Sequence, residues 1–215
     1  MTSQALARSR IYDRFASLLA GVGRVLDLAC GDSYLTRLLG TNAIGVDISA
    51  ERGPTVRARA QQLPFADATF DAVACHLAFM LFDDIDLVVA ELTRVLRSGG
   101  AFHALLGGGP TADGDDAFHA FAELLPRGGI AFGDPRSKSE AGWRELFAER
   151  DWRDITFERW EIDLSGSFDE VWTFLGSSYQ LASADDRVRA ELRARFPGER
   201  VPCAVATYYA SVIRR

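Results

Sequence analysis

The stretch Val25-Leu26-Asp27-Leu28-Ala29-Cys30-Gly31-Asp32-Ser33 constrains this chain more than any other. Val25, Leu26 and Leu28 form the apolar run of a strand covered on both faces, as in a parallel sheet between helices. Ala29 and Gly31 are small residues, placed where a backbone must pass close to something. Asp32 or Ser33 can cap the helix that carries Tyr34, Leu35, Leu38 and Leu39, and Gly40 ends it. A helix start facing a small-residue loop suits a polar ligand.

The segment 42–48 reads as a second short strand that ends in Asp47, twenty residues after Asp27. A carboxylate at a strand tip can accept from two ribose hydroxyls at once. The alternative is that Asp47 only caps the next turn with Ser49. The following crossover is short: a turn or short helix over 50–53, broken by Pro54, then a third strand near 55–60. Leu63-Pro64-Phe65 reads as a loop of fixed shape, and 70–75 as a fourth strand with His76 at its end. Asp83 or Asp84 starts a helix with Ile85, Leu87, Val88, Leu92, Val95 and Leu96 at helical spacing, and Gly99-Gly100 is its stop. Residues 101–106 make a fifth strand. Strands alternating with mostly helical connections imply a doubly wound parallel sheet, whose right-handed crossovers bring the ends of strands one, two and four around one crevice. Asp27, Asp47 and His76 stand at those ends.

Ahead of this core, 2–20 reads as one helix capped by Thr2 or Ser3, with an apolar stripe of Leu6, Ile11, Phe15, Leu18 and Leu19. Beyond it the pattern loosens. A flexible Gly107-Gly108-Gly109-Pro110 segment leads to expected helices at 115–125, 139–149, 168–179 and 185–196, a loop at 128–135, and strands at 154–164 and 201–213. There is no internal repeat or linker, so 1–215 is expected to be a single domain. A net charge of −6 argues against a nucleic-acid partner. Three cysteines in apolar settings fit a reducing, cytoplasmic location, and no apolar run suits a membrane.

Together, residues 25–33, 45–49, 63–71 and the helix ending Arg94-Val95-Leu96-Arg97-Ser98-Gly99-Gly100 resemble the class I S-adenosylmethionine-dependent methyltransferases, in particular their small-molecule, type 11-like branch. The resemblance covers 1–106 well. It implies a Rossmann-like sheet of seven strands, mostly parallel with an antiparallel last strand, and helices on both faces. Residues 1–106 would form the cofactor-binding core, with 107–150 and 165–200 as inserted helices covering the substrate.

The resemblance also implies roles. Asp27 would face the methionine amino group, with Ala29, Gly31 and Ser33 as the close-approach loop. Asp47 would hold the ribose, and Ile48 would cover an adenine face. Ala60 and Gln61 would reach the adenine edge, and Cys75 and His76 would line the methionine side. Tyr12 would close over the cofactor. Arg59 stands where relatives commonly carry an acid that bonds the adenine amino group, which leaves Gln61 as its substitute.

The implied reaction moves a methyl group from S-adenosylmethionine to a small-molecule acceptor by O-, N- or C-methylation, leaving S-adenosylhomocysteine. Positioning and water exclusion would supply most of the rate. His76 is the first candidate for a general base and His119 the second, while His103, inside a strand, reads as structural. No metal site is expected, because Asp83, Asp84 and Asp86 read as helix-start acids. Phe79, Met80, Phe82, Phe118, Phe121, Trp143, Trp172, Phe174 and Tyr179 could wall an apolar acceptor pocket or simply pack the core. Two other readings stand beside this one: a nicotinamide-dependent oxidoreductase, against which the loop lacks GxGxxG, and a cofactor-binding domain without turnover.

Overall fold

A computed structural model of the protein describes residues 4–49, 55–111, 114–125, 133–148, 150–178 and 186–215. The strands β1 (Val25–Leu28), β2 (Ala43–Asp47), β3 (Val56–Arg57), β4 (Phe70–His76), β5 (Leu96–Pro110), β6 (Trp152–Asp163) and β7 (Ala204–Arg214) form one sheet. Its order is β3-β2-β1-β4-β5-β7-β6. Neighbours among the first five are parallel, while β7 runs antiparallel to both β5 and β6. The expected seven-stranded, doubly wound fold is therefore present. Asp27 pairs with Gly45 on one side and Ala74 on the other, so the ends of β1, β2 and β4 lie level at the point where strand order reverses. In sheets of this kind that point holds the ligand crevice.

Helices cover both faces. They are α1 (Gln4–Arg8), α2 (Ile11–Ser17), α3 (Tyr34–Leu39), α4 (Ile85–Val95), α5 (Ala117–Leu124), α6 (Glu140–Leu146), α7 (Phe168–Ser178) and α8 (Asp186–Arg195). Alternation along β4 divides the core: Ala72 and Ala74 face a cluster with Phe15, Phe121, Val171 and Leu192, whereas Val73 and Cys75 face Leu92, Phe102, Trp143 and Trp152. On the second face Trp143 stacks on Phe102 at 5.6 Å and donates from Nε1 to the Ser137 carbonyl at 2.9 Å. Full burial of each such aromatic stabilises the fold by roughly 2–3 kcal/mol.

Several expected boundaries move, each for a local reason. The leading helix is two helices, because Arg10 adopts a left-handed conformation (φ 59°) between α1 and α2. Ser33 precedes α3 but is also left-handed and makes no side-chain cap; Asp84 behaves the same way before α4. The third strand shrinks to Val56–Arg57, and Arg59–Gln62 becomes a tight turn in which the Gln62 N–H donates to the Arg59 carbonyl. Gly99-Gly100 does not stop α4: β5 begins at Leu96, directly after the helix, and Gly100 lets its backbone pass Asp71. The glycines 107–109 are not a loose segment. They continue β5 along β7, and a side chain at Gly108 would strike the Ala206 carbonyl. β7 begins at Ala204, with Val201 only bridging Gly166. Caps at Thr2 or Ser3, the turn at 50–53, most of the 128–135 loop and Tyr179 fall outside the described residues.

Candidate active site

Asp27 sits in the middle of β1 and is 1% exposed. Thr36 on α3 donates its hydroxyl to Asp27 Oδ2 at 2.5 Å. Burial, with smaller contributions from Asp47 and Asp32, pushes the Asp27 carboxyl up to about 7, against the opposing Thr36 hydrogen bonds. Gly45 on β2 makes room for this arrangement, since a Cβ there would lie 2.7 Å from Thr36 Oγ1 and 2.9 Å from Cys30 Sγ.

The loop after β1 alternates its backbone: Ala29, Gly31 and Ser33 have φ values of 56°, 57° and 59°. Only glycine takes this conformation without cost, so Ala29 and Ser33 each store about 1 kcal/mol of strain. The loop is pinned to β2 at two places. Cys30 N–H donates to the Val46 carbonyl at 3.0 Å, and Gly31 N–H donates to Asp47 Oδ2 at 2.9 Å. Asp47 Oδ1 accepts from Ser49 N–H at 2.8 Å. Asp47 therefore does cap the Ser49 turn, and each of its oxygens retains a lone pair toward the crevice.

Beside Asp47 a cleft of about 180 Å³ is lined by Leu28, Ala29, Asp47, Ile48, Ala60 and Gln61, together with Arg59, Leu81, Phe82 and Asp83. Ile48 is 56% exposed, an aliphatic side chain standing open at the cleft. Gln61 donates from Nε2 to the Asp83 carbonyl at 2.7 Å. The turn that carries Gln61 leads into a loop latched to α4. Arg94 donates to the Leu63 and Phe65 carbonyls and to Asp67, while Leu63 N–H donates to Glu91.

At the other side of Asp27 stands His76. Its ring stacks on Tyr12 at 3.9 Å and 17°, and Tyr12 also meets Tyr34 at 4.8 Å. The His76 Nε2 atom is shielded from solvent and has no hydrogen-bond partner among the described residues. Burial lowers its pKa to about 3, so the ring is neutral at pH 7.

The expected site residues thus fall into groups. Ala29, Asp47, Ile48, Ala60 and Gln61 meet in one cleft. Asp27 and Gly31 stand beside it through Asp47, and Tyr12 and His76 form a stack at the tip of β4. Ser33 lies in the strained loop, with its Oγ 3.5 Å from Cys30 Sγ. Two residues stand apart. The Cys75 thiol points to the opposite face of the sheet and is fully buried in the apolar core, so only its backbone can line the site. His119 is engaged elsewhere: its Nδ1 lies 3.1 Å from Asp116, which caps α5 and accepts from Ala204 N–H on β7. His103 hydrogen-bonds Tyr209 at 2.8 Å within the sheet, as a structural histidine would.

Thr36, Glu91 and Leu81 escape a reading of motifs, and Gly45, Arg94, Phe82 and Asp83 are read there without the contacts they make here. For Thr36 the sequence offers only a weak signal, a hydroxyl one residue after the buried Leu35 and three before Leu39.

Sheet order, antiparallel β7 and paired acids at adjacent strand tips together define a class I methyltransferase architecture. Comparison with known proteins agrees. Residues 26–104 match the family described as "Methyltransferase domain". A demethylmenaquinone methyltransferase of Thermobifida fusca is 32% identical over 176 residues, covering 62% of this chain and 72% of that one. The human mitochondrial protein named arginine-hydroxylase NDUFAF5 is 29% identical over 117 residues, covering 48% of this chain but 34% of the relative. Among solved structures, YcgJ of Bacillus subtilis superposes with a TM-score of 0.64 at 18% identity, covering 97% of this chain and 99% of that one. The chain belongs to the class I S-adenosylmethionine-dependent methyltransferases. Among the described residues no helix is long and apolar enough to cross a membrane.

Proposed function

We propose that the protein transfers the methyl group of S-adenosylmethionine to a small, largely apolar acceptor. The observation that carries this reading is the cleft beside Asp47. Its carboxylate is fixed by Gly31 and Ser49 with lone pairs left over, and Ile48 stands exposed next to it. That pairing suits a ribose and an adenine face. Gln61, with its amide nitrogen committed to the Asp83 carbonyl, turns its oxygen to accept from the adenine amino group, in place of the acid that Arg59 replaces. Asp27 would hold the methionine ammonium. When bound, the cofactor supplies an electrophilic methyl carbon.

The protein's own part is to bind, align and exclude water. A histidine with a pKa near 3 is a poor proton acceptor at neutral pH, so His76 serves as a neutral hydrogen-bond partner through Nε2 and not as a general base. The acceptor must then bring its own nucleophile, as an enolate, phenolate or amine does. Phe79, Phe118, Phe121 and Trp143 are committed to the core and Phe82 lines the cleft beside Asp47, while Met80 and Trp172 are half-buried and remain for the acceptor wall. The relative from Thermobifida fusca is named for an aromatic, lipophilic acceptor, which supports the same class here.

Calorimetry with S-adenosylmethionine, S-adenosylhomocysteine and NAD tests the cofactor, and release of labelled methyl into quinol and phenol acceptors tests turnover. Binding of both sulfur ligands with methyl incorporation is expected. Binding of NAD alone overturns the proposal. Sulfur-ligand binding without transfer to any acceptor would leave a cofactor-binding domain, a reading kept open by the relative named a hydroxylase.

A further inference from the structure

The Asp27 carboxyl is the most enclosed acid of the crevice, and the titratable groups around it are all acidic or neutral. Asp47 closes β2, Asp32 and the Cys30 thiol lie in the loop, the neutral His76 ring stands at the tip of β4, and the Cys75 thiol lies across the sheet on the same strand. What opposes this surrounding is Thr36, which supplies both its hydroxyl and a main-chain hydrogen bond to the carboxyl. The hydroxyl reaches Asp27 only because Gly45 has no Cβ, which would otherwise fall 2.7 Å from Oγ1. Three elements therefore converge on one oxygen: β1 brings the acid, α3 the donor, and β2 the space.

We infer that Thr36 is a positioning residue for the methionine end of the site, its hydroxyl holding the Asp27 carboxylate ready to meet a cationic ligand group. The inference rests on the reading that Asp27 receives the ligand ammonium. A ligand that arrives as an ammonium needs Asp27 ionised, so binding below neutral pH sends the Asp27 proton to solvent. Thr36 stabilises the ionised form by donating to it, and without the hydroxyl that form is reached only at higher pH. The threonine thus sets the pH at which the methionine end becomes competent, although it touches no ligand.

The test uses S-adenosylhomocysteine and adenosine as probes, with calorimetry between about pH 5.5 and 8.5. Adenosine shares the ribose and adenine but lacks the amino-acid end, so it reports whether the rest of the site is intact. For the unmodified protein, S-adenosylhomocysteine affinity should rise about tenfold per pH unit below neutrality and level off above it, with proton release on binding below the midpoint. Thr36→Val should move that midpoint up by about one pH unit and weaken neutral-pH binding about three- to tenfold, with adenosine binding unchanged. Thr36→Ser should restore the original profile. Superimposable S-adenosylhomocysteine profiles for T36V and the unmodified protein would overturn the inference while leaving the proposed function standing. Equal loss of adenosine binding in T36V and T36S would also overturn it, because the residue would then be merely structural. Failure of the unmodified protein to bind S-adenosylhomocysteine at any pH would instead remove the cofactor reading, and this inference with it.

Discussion

The two ends of the crevice hold an aspartate each and treat it in opposite ways. Asp47 is edged by backbone donors: two N–H groups fix its oxygens, and a cleft opens directly beside it. Asp27, one strand over, is sealed beneath Thr36 with its pKa pushed up to about 7 by burial. The first is a hydrogen-bond acceptor already fixed in place. The second is an acid held at the edge of ionisation, which a cation can tip. On the proposed function, a ligand with a neutral sugar at one end and an ammonium at the other would be read by two different physical devices, and variants that separate the two test the comparison most directly.

The largest effect is expected for Asp47→Ala. It removes the acceptor of two backbone N–H groups as well as the proposed ribose contacts, and charge-assisted hydrogen bonds are worth about 1.5–3 kcal/mol each. Affinity for S-adenosylhomocysteine and for adenosine should fall together by about 100-fold or more in calorimetry. Equal retention of adenosine binding would show that the ribose sits elsewhere.

Next in size is Asp27→Asn, which should divide the two ligands: S-adenosylhomocysteine binding weakened about 10- to 100-fold at pH 8, adenosine binding unchanged. The same substitution should stabilise the free protein. Because the folded-state pKa is raised above its ordinary value of 3.8, the native protein holds a proton that the unfolded chain releases between about pH 4 and 7. Stability from this group is greatest at low pH, declines as pH rises through that window, and is flat above it, a span on the order of 4 kcal/mol. Thermal unfolding of D27N should lose that decline relative to the unmodified protein. An unchanged slope would mean that Asp27 ionises freely in the fold.

Much of this was legible before the structure, and the exceptions have physical causes. Hydrophobic period located β1, β2, β4, α4 and the acids at strand tips, because a buried parallel strand and an amphipathic helix each write a clear pattern. Alternation along β4 puts the neighbours Cys75 and His76 on opposite faces, so only one of the two side chains can line the crevice: the thiol enters the core and the imidazole meets Tyr12. Gly99-Gly100 and Gly107-Gly108-Gly109 read as breaks, yet tertiary pairing with β4 and β7 absorbs them into a 15-residue strand. The contact between Thr36 and Gly45 went unread for a different reason. It joins α3 to β2, and no local pattern encodes it. His119 shows the converse: a histidine on an apolar helix suggested chemistry, and the fold uses it beside a capping aspartate.

Gly45→Ala perturbs the Asp27 end of the crevice through packing alone. The new methyl group would stand 2.7 Å from Thr36 Oγ1 and 2.9 Å from Cys30 Sγ, both inside contact distance, so α3 must shift or the Thr36 rotamer must turn. Overpacking of this kind costs about 1–3 kcal/mol. A lower melting temperature should accompany weaker S-adenosylhomocysteine binding, with adenosine affected less. Equal weakening of both ligands would place the strain at β2 itself and not at Thr36.

The smallest effect belongs to Arg94→Lys, which probes the Gln61 end of the cleft from behind. Arg94 fans out to the Leu63 and Phe65 carbonyls, Asp67 and Glu91, while Glu91 holds Leu63 N–H, so α4 sets the path of the chain leaving Gln61. A lysine keeps the charge but has a single ammonium, which cannot reproduce a planar fork serving four acceptors. The loop should loosen without unfolding, because the core beneath it is untouched. Adenosine and S-adenosylhomocysteine should therefore weaken alike, by about two- to fivefold, roughly 0.4–1 kcal/mol. The pH midpoint for S-adenosylhomocysteine should stay where it was, because Asp27 and Thr36 lie at the other end. A shifted midpoint in R94K would mean that the two ends are mechanically coupled, and the division between them would fail at its least perturbed test.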